Sequence, residues 1–342
     1  MRIAVCRPQQ PFVRGGAEIF TDLLVDELRA RGHEADLVSI PFNTWPNERI
    51  LTSAMMWRLV ELTAGTGMEA DLVVATKFPS YLIEHPNKVV WLVHQFRQAY
   101  ELDGTEYGQF TRSRTDRAVR DRIEEIDKLS LGSARRLFAT SKNVAGRLQR
   151  STGLRAEILP HPPQALAYRC DRYEPFVLSV GRLDPWKRVD LLLAGARLVP
   201  GLEVVVAGDG PDRDRLERMT AELGLDGRVR FLGRVSEETL TDLYATCRAV
   251  YYAPMDEDFG MVPIEAHRAC KPVVTATDSG GPLDFVVPGE TGWVAEPTAE
   301  GLASAFSELL ESEGTARRYG AAGEPAAAAI TWDRAIARLL GL

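Results

Sequence analysis

Cysteine is scarce: 342 residues hold only Cys6, Cys170, Cys247 and Cys270, and no Cys-x-x-Cys pair occurs among them. That spacing excludes a disulfide framework and a cysteine-built zinc site, and it predicts four small buried residues. The histidines, His33, His85, His94, His161 and His267, show no metal-ligand spacing. No apolar run is long enough to span a bilayer, and Ile3-Ala4-Val5-Cys6 reads as a first strand rather than a signal peptide, so a cytoplasmic location is expected. Positive charge is not in excess: 41 Lys and Arg face 48 Asp and Glu, and the net charge of −7 disfavours nucleic acid as the main partner. A Gly-x-Gly-x-x-Gly fingerprint is also missing, which removes the usual signal for a nicotinamide cofactor.

What is there is an alternation of apolar runs and helical patterns, the mark of parallel βαβ units covered on both faces. The runs lie at 3–6, 35–40, 71–75, 89–93, 137–139 and 156–159, then again at 176–180, 203–207, 229–232, 249–252, 272–275 and 292–295. The expected fold class is α/β, with two Rossmann-like doubly wound domains facing across a cleft. Pro160, Pro162 and Pro163 mark a connection that suits neither helix nor central strand. The expected boundaries are therefore 1–160, a linker at 161–174, and 175–325. A last segment, 326–342, would follow a break at Gly323-Glu324-Pro325 and pack its helix, 332–340, back on the first domain.

Candidate site residues cluster where strands end. After the run at 249–252 comes Asp256-Glu257-Asp258-Phe259-Gly260-Met261-Val262-Pro263-Ile264-Glu265, a short loop leading into a helix. Backbone N–H groups there suit an anion, while Glu257 and Glu265, with seven residues between them, suit hydroxyl groups. The bland reading makes them a solvated loop acid and a helix-start acid. Arg182 and Lys187 flank the turn after 176–180, where the macrodipole of a following helix disfavours cations, so position favours an anion-binding role. Gly181, Gly208, Gly210 and the adjacent Gly15 and Gly16 allow close backbone approach, or serve simply as turns. Thr277-Asp278-Ser279-Gly280-Gly281-Pro282 adds a glycine-rich loop on the same edge. His94 ends the run at 89–93 and can donate to a sugar hydroxyl or a reacting oxygen, or be satisfied by backbone. Asp256-x-Asp258 matches a divalent-cation pattern, though metal binding is the minor reading. The arginines at 112, 114, 117, 120 and 122 read as a solvated helix face, and 45–60, with Met55, Met56 and Trp57, reads as core or as a lipid contact.

Together Val180-Gly181-Arg182-Leu183 with Lys187, Gly208-Asp209-Gly210-Pro211, the Glu257/Glu265 pair and Ser279-Gly280-Gly281-Pro282-Leu283 resemble the family 4 retaining glycosyltransferases of the GT-B fold. The resemblance covers nearly the whole chain. It implies an acceptor-binding first domain and a second domain holding a nucleotide sugar, with no cofactor and no metal. Arg182 and Lys187 would hold the diphosphate and Glu265 the ribose. Glu257, with Phe259, Gly260, Met261 and Val262, would contact the donor sugar. Gly16 would lie beneath the diphosphate, and His94 would touch the transferred sugar. The segment 94–105 is similar to bacterial surface-polysaccharide mannosyltransferases, which favours GDP-mannose over UDP-glucose or another UDP-hexose. The implied acceptor is a glycan, a lipid-linked saccharide or a small molecule, with peripheral contact at the inner face of a membrane. Two other readings compete: a pyridoxal-phosphate glycan phosphorylase, which needs a longer chain and a cofactor lysine, and a non-catalytic two-lobe sugar-binding module.

Overall fold

In the first six-stranded sheet, consecutive side chains of β1 (Arg2–Gln9) go to opposite faces. Ile3 and Val5 join one core, and Ala4 and Cys6 the other. A strand buried on both sides needs apolar residues throughout, which is why its sequence shows no alternation. The computed structural model describes residues 1–12, 15–63 and 69–342. Val13 and Arg14 of the first glycine loop lie outside them.

After β1 come α1 (Gly16–Ala30), β2 (Glu34–Pro41), α2 (Glu48–Arg58), β3 (Leu72–Lys77), β4 (Lys88–His94), α3 (Arg114–Gly132), β5 (Arg136–Ala139), α4 (Lys142–Thr152) and β6 (Glu157–Ile158). The strand order is β2-β1-β3-β4-β5-β6, every pair parallel. α2, α3 and α4 cover one face and α1 the other.

The second sheet is built from β7 (Glu174–Val180), α5 (Val189–Arg197), β8 (Glu203–Ala207), α6 (Arg213–Glu222), β9 (Val229–Gly233), α7 (Glu237–Thr246), β10 (Cys247–Tyr251), α8 (Val262–Arg268), β11 (Val273–Ala276), β12 (Gly292–Ala295), α9 (Ala299–Glu311) and α10 (Glu313–Ala328). Its order, β12-β11-β10-β7-β8-β9, is again parallel throughout. The twelve expected strands are the twelve observed.

Contacts divide the chain into two units, one of Met1–Pro162 with Thr331–Leu342, the other Pro163–Ile330. The last helix, α11 (Trp332–Leu340), belongs to the first unit and joins the α1 side of its core. The expected helix break at Gly323-Glu324-Pro325 is not there: α10 runs through Pro325 and ends at Ala328. Packing overrides the proline. A Cβ on Gly323 would lie 2.6 Å from the His267 ring, and one on Gly320 1.9 Å from the Cys270 carbonyl, so α10 is pressed too closely on α8 to bend away there. The cysteines also differ from expectation. All four are free thiols, but only Cys6 and Cys247 are buried, whereas Cys170 lies exposed in the extended run before β7 and Cys270 is half-buried.

Candidate functional site

The second sheet changes direction between β7 and β10: the chain adds β8 and β9 on one side, then returns to add β11 and β12 on the other. Loops leaving the carboxyl ends of two such strands diverge and open a crevice. Lys187 leaves β7 and Glu257 leaves β10, and their side chains meet there. The Lys187 ammonium forms an ion pair with Glu257 and donates to the Tyr252 hydroxyl at 3.1 Å, while that hydroxyl donates to Glu257 Oε2 at 3.2 Å. Burial by itself would push the Lys187 ammonium down, but Tyr252 and Glu257 outweigh it and hold it well above its ordinary value. The cation therefore stays charged at any working pH.

Three loops are locked around this pair. Glu257 N–H donates to the Ser279 carbonyl at 2.9 Å, Gly281 N–H donates to the Glu257 carbonyl at 2.8 Å, and Met255 N–H donates to the Trp186 carbonyl at 2.8 Å. Arg188, with a left-handed φ of 50°, forks onto Asp278 at 2.6 and 2.8 Å and donates to the carbonyls of Ala253 and Pro254. Arg182 stands further out, more than half exposed, with Nε 3.0 Å from Asp184. It nonetheless lines the same small crevice as Gly181, Lys187 and Tyr252.

Glu265 sits in the first turn of α8, where Tyr244 donates to its Oε2 at 2.7 Å. Burial raises its carboxyl above the usual range, and the Tyr244 bond and Arg268 hold that shift back. Phe259, Gly260 (φ 81°) and Met261 form the bend between Glu257 and α8, whose first residue is Val262. Gly208 and Gly210 have a local reason to be glycine: a Cβ would lie 1.8 Å from the Gly181 carbonyl oxygen and 2.3 Å from that of Leu183 respectively. Their loop is pressed flat on the one after β7.

On the first unit, His94 ends β4 in register with Lys77 of β3. Its Nδ1 lies 2.5 Å from the Gln95 carbonyl. A carbonyl only accepts, so Nδ1 carries a proton and donates it to that backbone oxygen. Gly16 opens α1 in an exposed position. The preceding Gly15 N–H donates to Glu18 at 2.9 Å, and Glu18 also binds Lys77 at 2.7 Å. Of the 45–60 stretch, Trp57 is core, while Trp45, Met55, Met56 and Leu59 are exposed. Among the described residues no group of three or more His, Cys, Asp or Glu is placed to hold a metal, Asp256 and Asp258 included.

Sequence reasoning missed Arg188, Tyr252 and Tyr244. Tyr252 and Tyr244 sit in apolar or helical patterns that account for their rings and hide their hydroxyls, and Arg188 reads as one more surface cation.

Residues 169–325 match the family model described as glycosyl transferases group 1. The alpha-1,3/1,6-mannosyltransferase ALG2 of Dictyostelium discoideum is 37% identical over 109 residues, 32% of this chain and 26% of that protein. The D-inositol 3-phosphate glycosyltransferase of Mycolicibacterium smegmatis is 34% identical over 174 residues, 49% of this chain and 39% of that protein. The match thus spans well under half the length of either relative. Among solved structures, sucrose-phosphate synthase from Thermosynechococcus elongatus superposes with a TM-score of 0.80 at 22% identity, over 99% of this chain and 97% of that one. HepE of Anabaena, solved with UDP and glucose, gives 0.71 at 18% identity, over 100% of this chain and 99% of that one. Residues 169–325 therefore belong to the group 1 (family 4-type) glycosyl transferases, and the chain that carries them has the GT-B fold.

Proposed function

We propose that this chain is a retaining hexosyltransferase that moves a sugar from a nucleoside diphosphate to a glycan, lipid-linked or small-molecule acceptor, without a metal. The observation that carries the reading is the Lys187–Glu257–Tyr252 cluster at the switch point of the second sheet. A fixed ammonium beside a carboxylate divides the work a nucleotide sugar needs, the cation facing phosphate and the carboxylate facing sugar hydroxyls. In the reaction, the bond from the anomeric carbon to the phosphate oxygen breaks and its electron pair stays on the diphosphate. Lys187 and Arg182 stabilise that charge. The acceptor oxygen bonds the same face of the anomeric carbon and passes its proton to the departing phosphate oxygen. Glu265 receives ribose hydroxyls, and His94 contacts the transferred sugar. The second unit takes the donor and the first the acceptor. For a lipid-linked acceptor, the exposed apolar residues of α2 are the face offered to the membrane.

GDP-mannose is the favoured donor, supported by the segment 94–105 and by the mannosyltransferase relative. A UDP-hexose is the alternative, supported by the structural neighbour solved with UDP and glucose. Thermal-shift titration with GDP, UDP, ADP and free hexoses tests both. Stabilisation by one nucleoside diphosphate is expected, and stabilisation by free hexose alone would identify a sugar-binding module instead. Lys187→Ala is expected to lower nucleoside diphosphate release by about 10²–10³-fold while the fold persists. Parent-like turnover in that variant removes Lys187 from the chemistry.

A further inference from the structure

Asp127, on α3, is fully buried, and its carboxylate makes no ion pair among the described residues. It accepts from three neutral groups instead: Tyr81 Oη at 2.6 Å, Gln95 Nε2 at 3.0 Å and Tyr100 Oη at 2.8 Å. Glu124, one turn earlier on the same helix, adds repulsion, and burial lifts the Asp127 carboxyl to about 6 despite the three donors. A buried carboxylate without a cation is an expensive way to fill space, since an apolar side chain would avoid its desolvation. Two of its three donors belong to the loop after β4. Gln95 is pinned twice, its amide nitrogen to Asp127 and its amide oxygen to Ser151 Oγ of α4 at 3.0 Å. The backbone carbonyl of that same residue accepts from His94 Nδ1.

We propose that Asp127 is a positioning residue for His94: through Gln95 and Tyr100 it fixes the loop whose carbonyl sets the imidazole's orientation and tautomer. The loop cannot turn the Gln95 carbonyl away from the ring without breaking bonds at a fully buried carboxylate. Nδ1 therefore stays the nitrogen that donates to that carbonyl. Any benefit to transfer rests on the function proposed above; the anchoring itself does not.

The test has two readouts. In ¹⁵N-histidine spectra, with the His94 signals assigned from a His94→Gln sample, the parent should show the Nδ1–H tautomer. Asp127→Asn replaces one acceptor by a donor facing three donors, and should populate both tautomers. Turnover of the variant should fall roughly 10- to 100-fold with little change in donor KM, because misplaced geometry costs rate rather than donor affinity. An unchanged His94 tautomer in a folded Asp127→Asn protein overturns the proposal. Should that variant not fold, Gln95→Met removes the handle while keeping volume and backbone carbonyl. It should give the same change at His94, and parent-like signals there would equally overturn the inference. A parent protein that releases no nucleoside diphosphate from GDP-mannose or UDP-hexoses defeats the proposed function, yet leaves the spectra to decide the anchoring.

Discussion

Arg188 shows how one side chain can hold a site it does not enter. Its neighbour Lys187 reaches Glu257 across two loops, and those loops keep their spacing because the Arg188 guanidinium binds Asp278 and two backbone carbonyls between them. The backbone conformation favours glycine, and a non-glycine residue there stores about 1–2 kcal/mol of strain. The four hydrogen bonds are what make an arginine tolerable at that φ. This predicts an inverted order of two truncations. Arg188→Ala loses the clamp and keeps the strain, whereas Arg188→Gly loses both. The glycine variant should be the more stable by about 1 kcal/mol in urea melts, against the usual preference for alanine, and both should lose most activity.

Among the elements, the loops after β7 and β8 carry a parallel lesson. Gly181 and Gly208 have φ of 143° and 152°, so alanine is strained at either. Only Gly208 also faces a clash, since the space at Gly181 is open. Gly208→Ala should therefore cost at least about 2 kcal/mol more than Gly181→Ala in equilibrium unfolding, the excess measuring loop-on-loop packing. Such packing is what a sequence conceals. The twelve strands were legible because a doubly covered parallel sheet needs unbroken apolar runs, and 249–252 or 89–93 can be little else. Glu257 and Lys187 were legible as charged residues placed at strand ends. That their side chains would touch was not, because seventy residues separate them and the contact depends on β10 lying beside β7. The continuation of α10 through Pro325 was hidden for the same reason: the close fit of Gly320 and Gly323 on α8 is tertiary, while the proline signal is local.

At the scale of the whole molecule, the chain returns to its first unit with α11, and this helix completes that unit's core. Trp332 lies 6.4 Å from Phe20 and 6.3 Å from Trp91, ring centroid to centroid, and Ile336 and Leu339 are buried beside them. Removing residues 331–342 would uncover this surface, at about 2 kcal/mol for each of the three large side chains withdrawn, or about 6 kcal/mol in all. The loss should fall on one unit: hydrogen exchange should accelerate across 1–162 and stay near the parent's across 163–330. His161 lies in the same cluster, stacked on Phe20 at 4.4 Å, and burial lowers its imidazole to about 4. An unfolded chain takes up that proton near pH 6.5, whereas the folded one does so only near 4. Stability from this group is thus complete above pH 6.5 and drains away as pH falls towards 4, by on the order of 3 kcal/mol. His161→Phe keeps the ring stack and removes the titration, so the first unit's stability in that variant should vary less between pH 6.5 and 4 than the parent's. If urea melts of the two fall in parallel over that range, the acid sensitivity of the first unit lies elsewhere than in its buried histidine.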